Sequence, residues 1–150
     1  MVIRFLFAAL ILFAVPALAQ NAKPVLIKDP RTGCAVWNLY PGPTDSITWS
    51  GACAKGLAQG RGTLQWFVDG KPFVRYEGEY RDGKENGRGV SSWADNARFE
   101  GEYRNGLPNG NGTYRSAKDD IYTGNWINGC FKQGTRWATA HTTAVDCGFK

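Results

Sequence analysis

Catalysis and metal binding need histidines, carboxylates or thiols gathered in a polar cluster, and this chain offers few of them. His141 is its only histidine, placed in Ala140-His141-Thr142 five residues before Asp146. That spacing would allow a His–Asp dyad, yet no nucleophile motif of the Gly-x-Ser-x-Gly kind accompanies it. The plain reading of His141 is an exposed residue of the C-terminal tail. Asp119-Asp120 could hold a calcium ion weakly, or could simply be solvated acids of a loop. Glu79 and Glu102 offer a carboxylate pair of the glycosidase type, but they occupy equivalent positions in a repeated segment and fit a charge ladder better. Asn111-Gly112-Thr113 has the form of a glycosylation sequon, of consequence only in a eukaryotic host. One histidine and one methionine, the initiator, exclude a multi-histidine metal site and a Met-rich ligand surface. The chain is expected to be non-enzymatic, with neither metal nor cofactor.

The elements that would position any site begin after a leader. Met1 to Arg4 carry one positive charge, Phe5 to Val15 are eleven apolar residues, and Pro16 is followed by Ala17-Leu18-Ala19. As a helix that run covers about 17 Å, short of the roughly 30 Å hydrocarbon core. It therefore predicts a secretory signal peptide over 1–19, cleaved after Ala19, and not a membrane span. No cysteine follows the run, which argues against a lipid anchor. The mature chain of 131 residues suits one domain in the periplasm or outside the cell. Without Arg4 it has 17 basic and 13 acidic residues, an excess that says little about partners.

Glycine occurs 19 times, nearly twice its usual share of about 7%, and most of it follows a repeat. Segments beginning at Trp49, Tyr76 and Phe99 align without gaps, with glycines 2, 7, 11 and 13 residues after each aromatic. These are Gly51, Gly56, Gly60 and Gly62, then Gly78, Gly83, Gly87 and Gly89, then Gly101, Gly106, Gly110 and Gly112. A fourth copy starts at Tyr122 with Gly124, Trp126 and Gly129, and loses register where Gln133 replaces glycine.

Within a copy, Tyr76-Glu77-Gly78-Glu79-Tyr80-Arg81 alternates, putting Tyr76, Gly78 and Tyr80 on one face of a strand. Asp82 to Asn86 reads as turn chemistry, and Gly87, Gly89, Ser91 and Trp93 share a face of the returning strand. Each copy is thus a β-hairpin, and stacked hairpins predict an all-β, elongated, curved antiparallel meander of about eight strands. Glycine weakens strands, so its regular place here requires rings lying flat over the glycine backbone. Tyr76, Phe99 and Tyr122 form one aromatic row and Tyr80, Tyr103 and Trp126 another. With no helix to cover the sheet, these rings are its expected core. The opposite face, with Glu77, Glu79, Arg81, Glu100, Glu102 and Arg104, should be solvated and laced by cross-strand charge pairs. Acids interleave the arginines, so nucleic acid is not an expected partner.

The pattern Tyr-x-Gly-x-Tyr-x-x-Gly-x-x-x-Gly-x-Gly resembles the MORN repeat, over about residues 49 to 137. Cys34-Ala-Val-Trp-Asn38 through Trp49-Ser-Gly-Ala-Cys53 is similar to the leader element of secreted bacterial MORN proteins. The resemblance implies an interaction scaffold and does not specify what is bound.

Four cysteines in an exported chain suggest two disulfides. Cys53 and Cys130 lie six strand spacings apart in an extended meander, roughly 29 Å, whereas bridged Cα atoms must lie within ~7 Å. That favours Cys34–Cys53 and Cys130–Cys147, each stapling one end independently. The long spacings and lack of Cys-x-x-Cys speak against zinc or a redox pair. Residues 20–48, with strand candidates at Val25–Ile27, Ala35–Trp37 and Ile47–Trp49, form the N-terminal cap. The stretch from Thr135 to Cys147 should fold back as a closing strand, giving a C-terminal cap over 138–150. The favoured function is a protein-interaction scaffold, docking its partner on Tyr76, Tyr80, Trp93, Phe99, Tyr103, Tyr122 and Trp126. The alternative is a glycan, cell-wall or membrane-lipid binder using the same rings.

Overall fold

A computed structural model describes residues 23–150, so the leader and its cleavage site after Ala19 lie outside the described residues. Among the described residues the chain forms twelve strands and no helix. The repeats supply β5 (Leu57–Val68), β6 (Lys71–Arg81), β7 (Lys84–Trp93), β8 (Arg98–Arg104), β9 (Leu107–Arg115) and β10 (Ile121–Trp126). These pair antiparallel in chain order, as a meander that does not close into a barrel. The hairpins are set by two-residue turns. Asp82 and Gly83 have φ of 52° and 76°, as do their counterparts Asn105 and Gly106 at 54° and 90°. Two successive left-handed residues make the type I′ turn that matches strand twist. Because the turn closes within Asp82-Gly83, the segment Lys84 to Asn86, expected in the turn, already belongs to β7.

Glycines form a row straight across the sheet. Gly62 pairs with Gly78, Gly78 with Gly89, Gly89 with Gly101, Gly101 with Gly112 and Gly112 with Gly124. The opening aromatic of each copy lies over two of them: Trp49 over Gly51 and Gly62, Tyr76 over Gly78 and Gly89, Phe99 over Gly101 and Gly112. A methyl carbon at Gly89 would stand 2.5 Å from Tyr76 Cζ, and one at Gly112 2.8 Å from Phe99 Cε2. The fourth copy differs. Phe131, not Tyr122, covers Gly124, because β11 (Cys130–Gln133) leaves the meander to pair with β12 (Arg136–Thr139).

The second aromatic row interleaves with the first. Centroid distances run Trp49–Tyr80 4.8 Å, Tyr80–Tyr76 5.5 Å, Tyr76–Tyr103 5.0 Å, Tyr103–Phe99 5.4 Å and Phe99–Trp126 5.1 Å. Most are edge-to-face contacts, each worth about 0.5–1.5 kcal/mol beyond burial. One zigzag of rings is thus the spine of the core.

Gly87 does not share the ring face, contrary to simple alternation. The β6–β7 register shifts between Gly78 and Glu79, leaving Gly87 and Arg88 in a bulge. Gly87, at φ 71° and exposed, lies beside the outward Glu79 carboxylate. Gly110 occupies the same place beside Glu102, whose carboxylate accepts the Asn111 N–H at 2.9 Å. The outer-face charges also differ from expectation. Arg75–Glu77 and Arg98–Glu100 pair along their own strands, at 2.8 and 2.7 Å, not across them.

Both ends are stapled as expected, Cys34 to Cys53 and Cys130 to Cys147. At the N-terminal end β1 (Val25–Lys28) pairs with β2 (Ala35–Asn38), while β3 (Ser46–Trp49) and β4 (Ala52–Ala54) pair with β5. Asp29, fully buried, fastens this cap by accepting the Trp49 N–H at 2.8 Å and the Arg31 guanidinium at 2.8 Å. The ends are not independent, however. Tyr40 Oη lies 2.9 Å from Thr142 Oγ1 and donates to Asp146 Oδ2 at 2.9 Å. The two caps meet over the ring face.

Candidate functional site: the cleft between the caps

Five of the seven aromatic residues proposed from sequence as a docking surface are in the core. Tyr76, Tyr80, Phe99, Tyr103 and Trp126 are at most 3% exposed. Only Trp93 and Tyr122 keep partial exposure, so a partner can reach the row only through these two while the caps stay closed. The accessible aromatic surface lies elsewhere.

Where the caps meet, a cleft of about 380 Å³ opens beside the ring spine, within the range of small-ligand sites. β2 contributes Trp37 and the segment after it Leu39 and Tyr40; the β5–β6 hairpin contributes Trp66 and Phe73; β7 contributes Glu85 and Trp93; and the C-terminal cap contributes His141. Phe73 and Tyr40 are half exposed. Glu85 and Trp93 stand at opposite ends of β7, so the cleft runs along that strand.

Three polar residues near this cleft were not singled out as a group by sequence. Glu85 is buried, and Tyr80 Oη donates to its Oε1 at 2.7 Å. Burial pushes the Glu85 carboxyl up to about 7, against the opposing pull of the Tyr80 hydrogen bond. The Tyr80 and Tyr103 hydroxyls are driven well above their usual range, by burial first and the Glu85 charge after it, the Ser91 hydrogen bond opposing the rise at Tyr103. Ser91, fully buried, shares hydrogen bonds with Tyr103 Oη at 2.8 Å and His141 Nε2 at 2.6 Å. His141 is therefore no exposed tail residue. It covers the ring face, its centroid 4.9 Å from Trp93, and burial lowers its pKa to about 4.

Repeat register holds the signal that could have found them. The positions equivalent to Glu85 are Ala58 and Pro108, both buried, and those equivalent to Ser91 are Leu64 and Tyr114. Two polar residues stand where the other copies are mostly apolar, and both face inward.

Chemically, Ser91 and His141 have the distance of a nucleophile and its base. Yet Ser91 is sealed from solvent and its hydroxyl is shared with Tyr103. Asp146 serves Tyr40 and Thr143 in place of the His141 dyad that spacing allowed. Glu102 is occupied by bulge backbone, Asp119 meets Arg115 at 3.5 Å and Asp120 accepts within the Ser116 turn. What the cleft offers is aromatic wall, a buried carboxyl and a half-exposed rim.

A sheet of stacked hairpins, glycine-floored, ring-cored and capped at both ends, defines an all-β repeat protein. The MORN repeat family model matches it three times in succession, at residues 54–72, 76–98 and 99–121. The chain thus carries three consecutive MORN repeats. Its caps and its fourth, degenerate copy lie outside the matched segments. A search of curated proteins found no match.

Proposed function

We propose that this protein acts after export, in the periplasm or outside the cell, as a non-enzymatic interaction scaffold whose docking surface is the cleft between its caps. The observation that carries the reading is the division of its aromatic residues. The repeat rings are consumed by the core, whereas Phe73 and Tyr40 are held half exposed at the mouth of a cleft walled by Trp37, Trp66 and Trp93. Rigid aromatic side chains around a concavity are the anchors on which binding energy concentrates. Two disulfides suit an oxidising compartment, and the sealed Ser91–His141 pair suits a structural role better than a catalytic one. A glycan is the second reading, favoured by Asn38, Asp45, Thr142 and Thr143 lining the same cleft, where hydroxyls of a stacked sugar would find partners. A photo-crosslinking residue placed at Phe73 in the exporting cell tests the proposal. Protein adducts from Phe73 but not from Glu100, on the outer face, are expected. Adducts from Glu100 alone would reverse the assignment of faces.

A further inference from the structure

The tryptophans divide by the fate of their indole N–H groups. Trp49 and Trp126, in the core, donate to the Ala52 carbonyl at 2.9 Å and the Gly112 carbonyl at 3.2 Å. Trp37, Trp66 and Trp93 line the cleft, and their N–H groups have no acceptor among the described residues. No buried side-chain nitrogen or oxygen among the described residues lacks a partner, so these three N–H groups reach the surface. The other polar side chains of the lining all hold partners within the chain: Asn38 and Asp45 each other, Glu85 the Tyr80 hydroxyl, His141 Ser91, and Tyr40, Thr142 and Thr143 the Asp146 carboxylate. The indoles are the exception, and an indole N–H can only donate. No lysine or arginine lines the cleft, and its charged residues are the acids Asp45 and Glu85.

The spacing of two of these indoles is set by the sheet. Trp66 pairs with Val74, and Val74 with Trp93. Cross-strand partners share a face, and Val74, two residues before Tyr76 on β6, is on the ring face. Trp66 and Trp93 therefore stand on that face with buried Val74 between them, two strand spacings or ~9.6 Å apart. Half-exposed Phe73 follows Pro72 at the edge of this row. A polyproline II helix repeats every three residues, a rise of ~9.3 Å, so prolines three apart would meet successive indoles. Proline also brings a carbonyl acceptor and no N–H, which matches side chains that only donate.

We infer that the cleft binds a proline-rich segment of a protein partner, in the polyproline II conformation, laid across Trp66 and Trp93. The inference rests on the cleft being the docking surface. Aromatic-lined grooves take such segments because the chain is ordered before it binds. The two acids of the lining repel an acidic segment, so the segment is neutral or basic. A sugar matches less well. Its hydroxyls bring donors as well as acceptors, and those donors would have to share acceptors already in use.

The test uses the oxidised mature protein and three probes: blocked decaproline, a blocked glycine–serine peptide of the same length, and a β-1,4-linked glucose hexamer. Binding is read from the indole N–H signals in proton–nitrogen NMR spectra. Decaproline should bind about tenfold tighter than the glycine–serine peptide, because its chain is already ordered, and tighter than the sugar. It should shift the Trp66 and Trp93 N–H signals and slow their exchange with water, leaving those of Trp49 and Trp126 in place. Trp66→Phe and Trp93→Phe keep a ring and remove the donor, so each should weaken decaproline severalfold. Unmoved Trp49 and Trp126 signals show that a variant is folded; where one is not, exchange of the parent's N–H groups decides alone. Equal binding of the two peptides, no binding of decaproline, or a preference for the sugar would each overturn the inference. So would unaltered exchange at Trp66 and Trp93, or full affinity in both folded variants. If Phe73 still crosslinks a protein in those cases, the docking surface stands and only its proline specificity falls. If decaproline binds as described while Phe73 gives no adduct, the cleft takes a proline segment but the rim is not the contact.

Discussion

Glu85 and His141 should make this protein's stability nearly independent of pH in a range where each alone would make it steep. His141 falls from 6.5 to about 4 on folding, so it is neutral in the fold and charged in the unfolded chain between those values. Its contribution is complete above pH 6.5 and lost as pH falls to about 4, worth ~3 kcal/mol at about 1.36 kcal/mol per pH unit. Glu85 runs the other way. Its carboxyl rises from 4.5 to about 7, so the fold carries a cost of ~3 kcal/mol above pH 7 that is relieved as pH falls towards 4.5. Between pH 6.5 and 4.5 the two slopes oppose. Glu85→Gln removes one of them. Urea unfolding followed by tryptophan fluorescence from pH 4.5 to 8, disulfides intact, should give a nearly flat line for the parent. The variant should lose about 2–3 kcal/mol from pH 6.5 to 4.5 and be the more stable protein at pH 8. A variant as flat as its parent, or a parent that is itself steep, would refute the opposed burial of the two groups.

The other expectations follow from the same contacts. Gly89→Ala should destabilise by roughly 1–3 kcal/mol, since its methyl would displace the Tyr76 ring; an unchanged melting temperature would show that the ring does not lie there. Replacing Cys130 and Cys147 with alanine should cost about 3 kcal/mol and expose amides at Trp37 to Tyr40 as well as in the last hairpin, because the caps touch. Exchange confined to the C-terminal end would argue that they do not. Asp29→Asn should destabilise the N-terminal cap above pH 4 and by less below it, because the Arg31 guanidinium and two N–H donors hold the Asp29 carboxyl well below the usual range. Equal loss at pH 3 and pH 7 would contradict the charge as the cause.

The meander was legible because its information is local and repeated. Glycine spacing fixed the turns at Gly83 and Gly106 and the covered positions at Gly78, Gly89, Gly101 and Gly112. Strand separation led to the correct cysteine pairs. Alternation failed at Gly87, where a bulge inserts residues and turns the glycine towards Glu79. The contact of Tyr40 with Thr142 and Asp146 was not legible, since it joins residues about a hundred positions apart and no period marks it. The same closure moved His141 from an expected tail to the ring face and turned the proposed docking rings into sealed core. Glu85 and Ser91 were legible in principle: each breaks the repeat by putting oxygen where Ala58 or Leu64 stands in the first copy.

The cleft is formed by the two caps meeting in solution. A nuclear Overhauser contact between the Tyr40 ring protons and the Thr142 methyl, in the oxidised mature protein, tests that directly. The Tyr40 hydroxyl and the Thr142 oxygen are 2.9 Å apart, so a clear cross-peak is predicted, weakened when Tyr40→Phe removes the hydroxyl that ties the caps. A well-folded protein with sharp signals for both residues and no cross-peak between them would mean the ends stand apart. In that case the cleft does not exist and the ring face is open to partners after all.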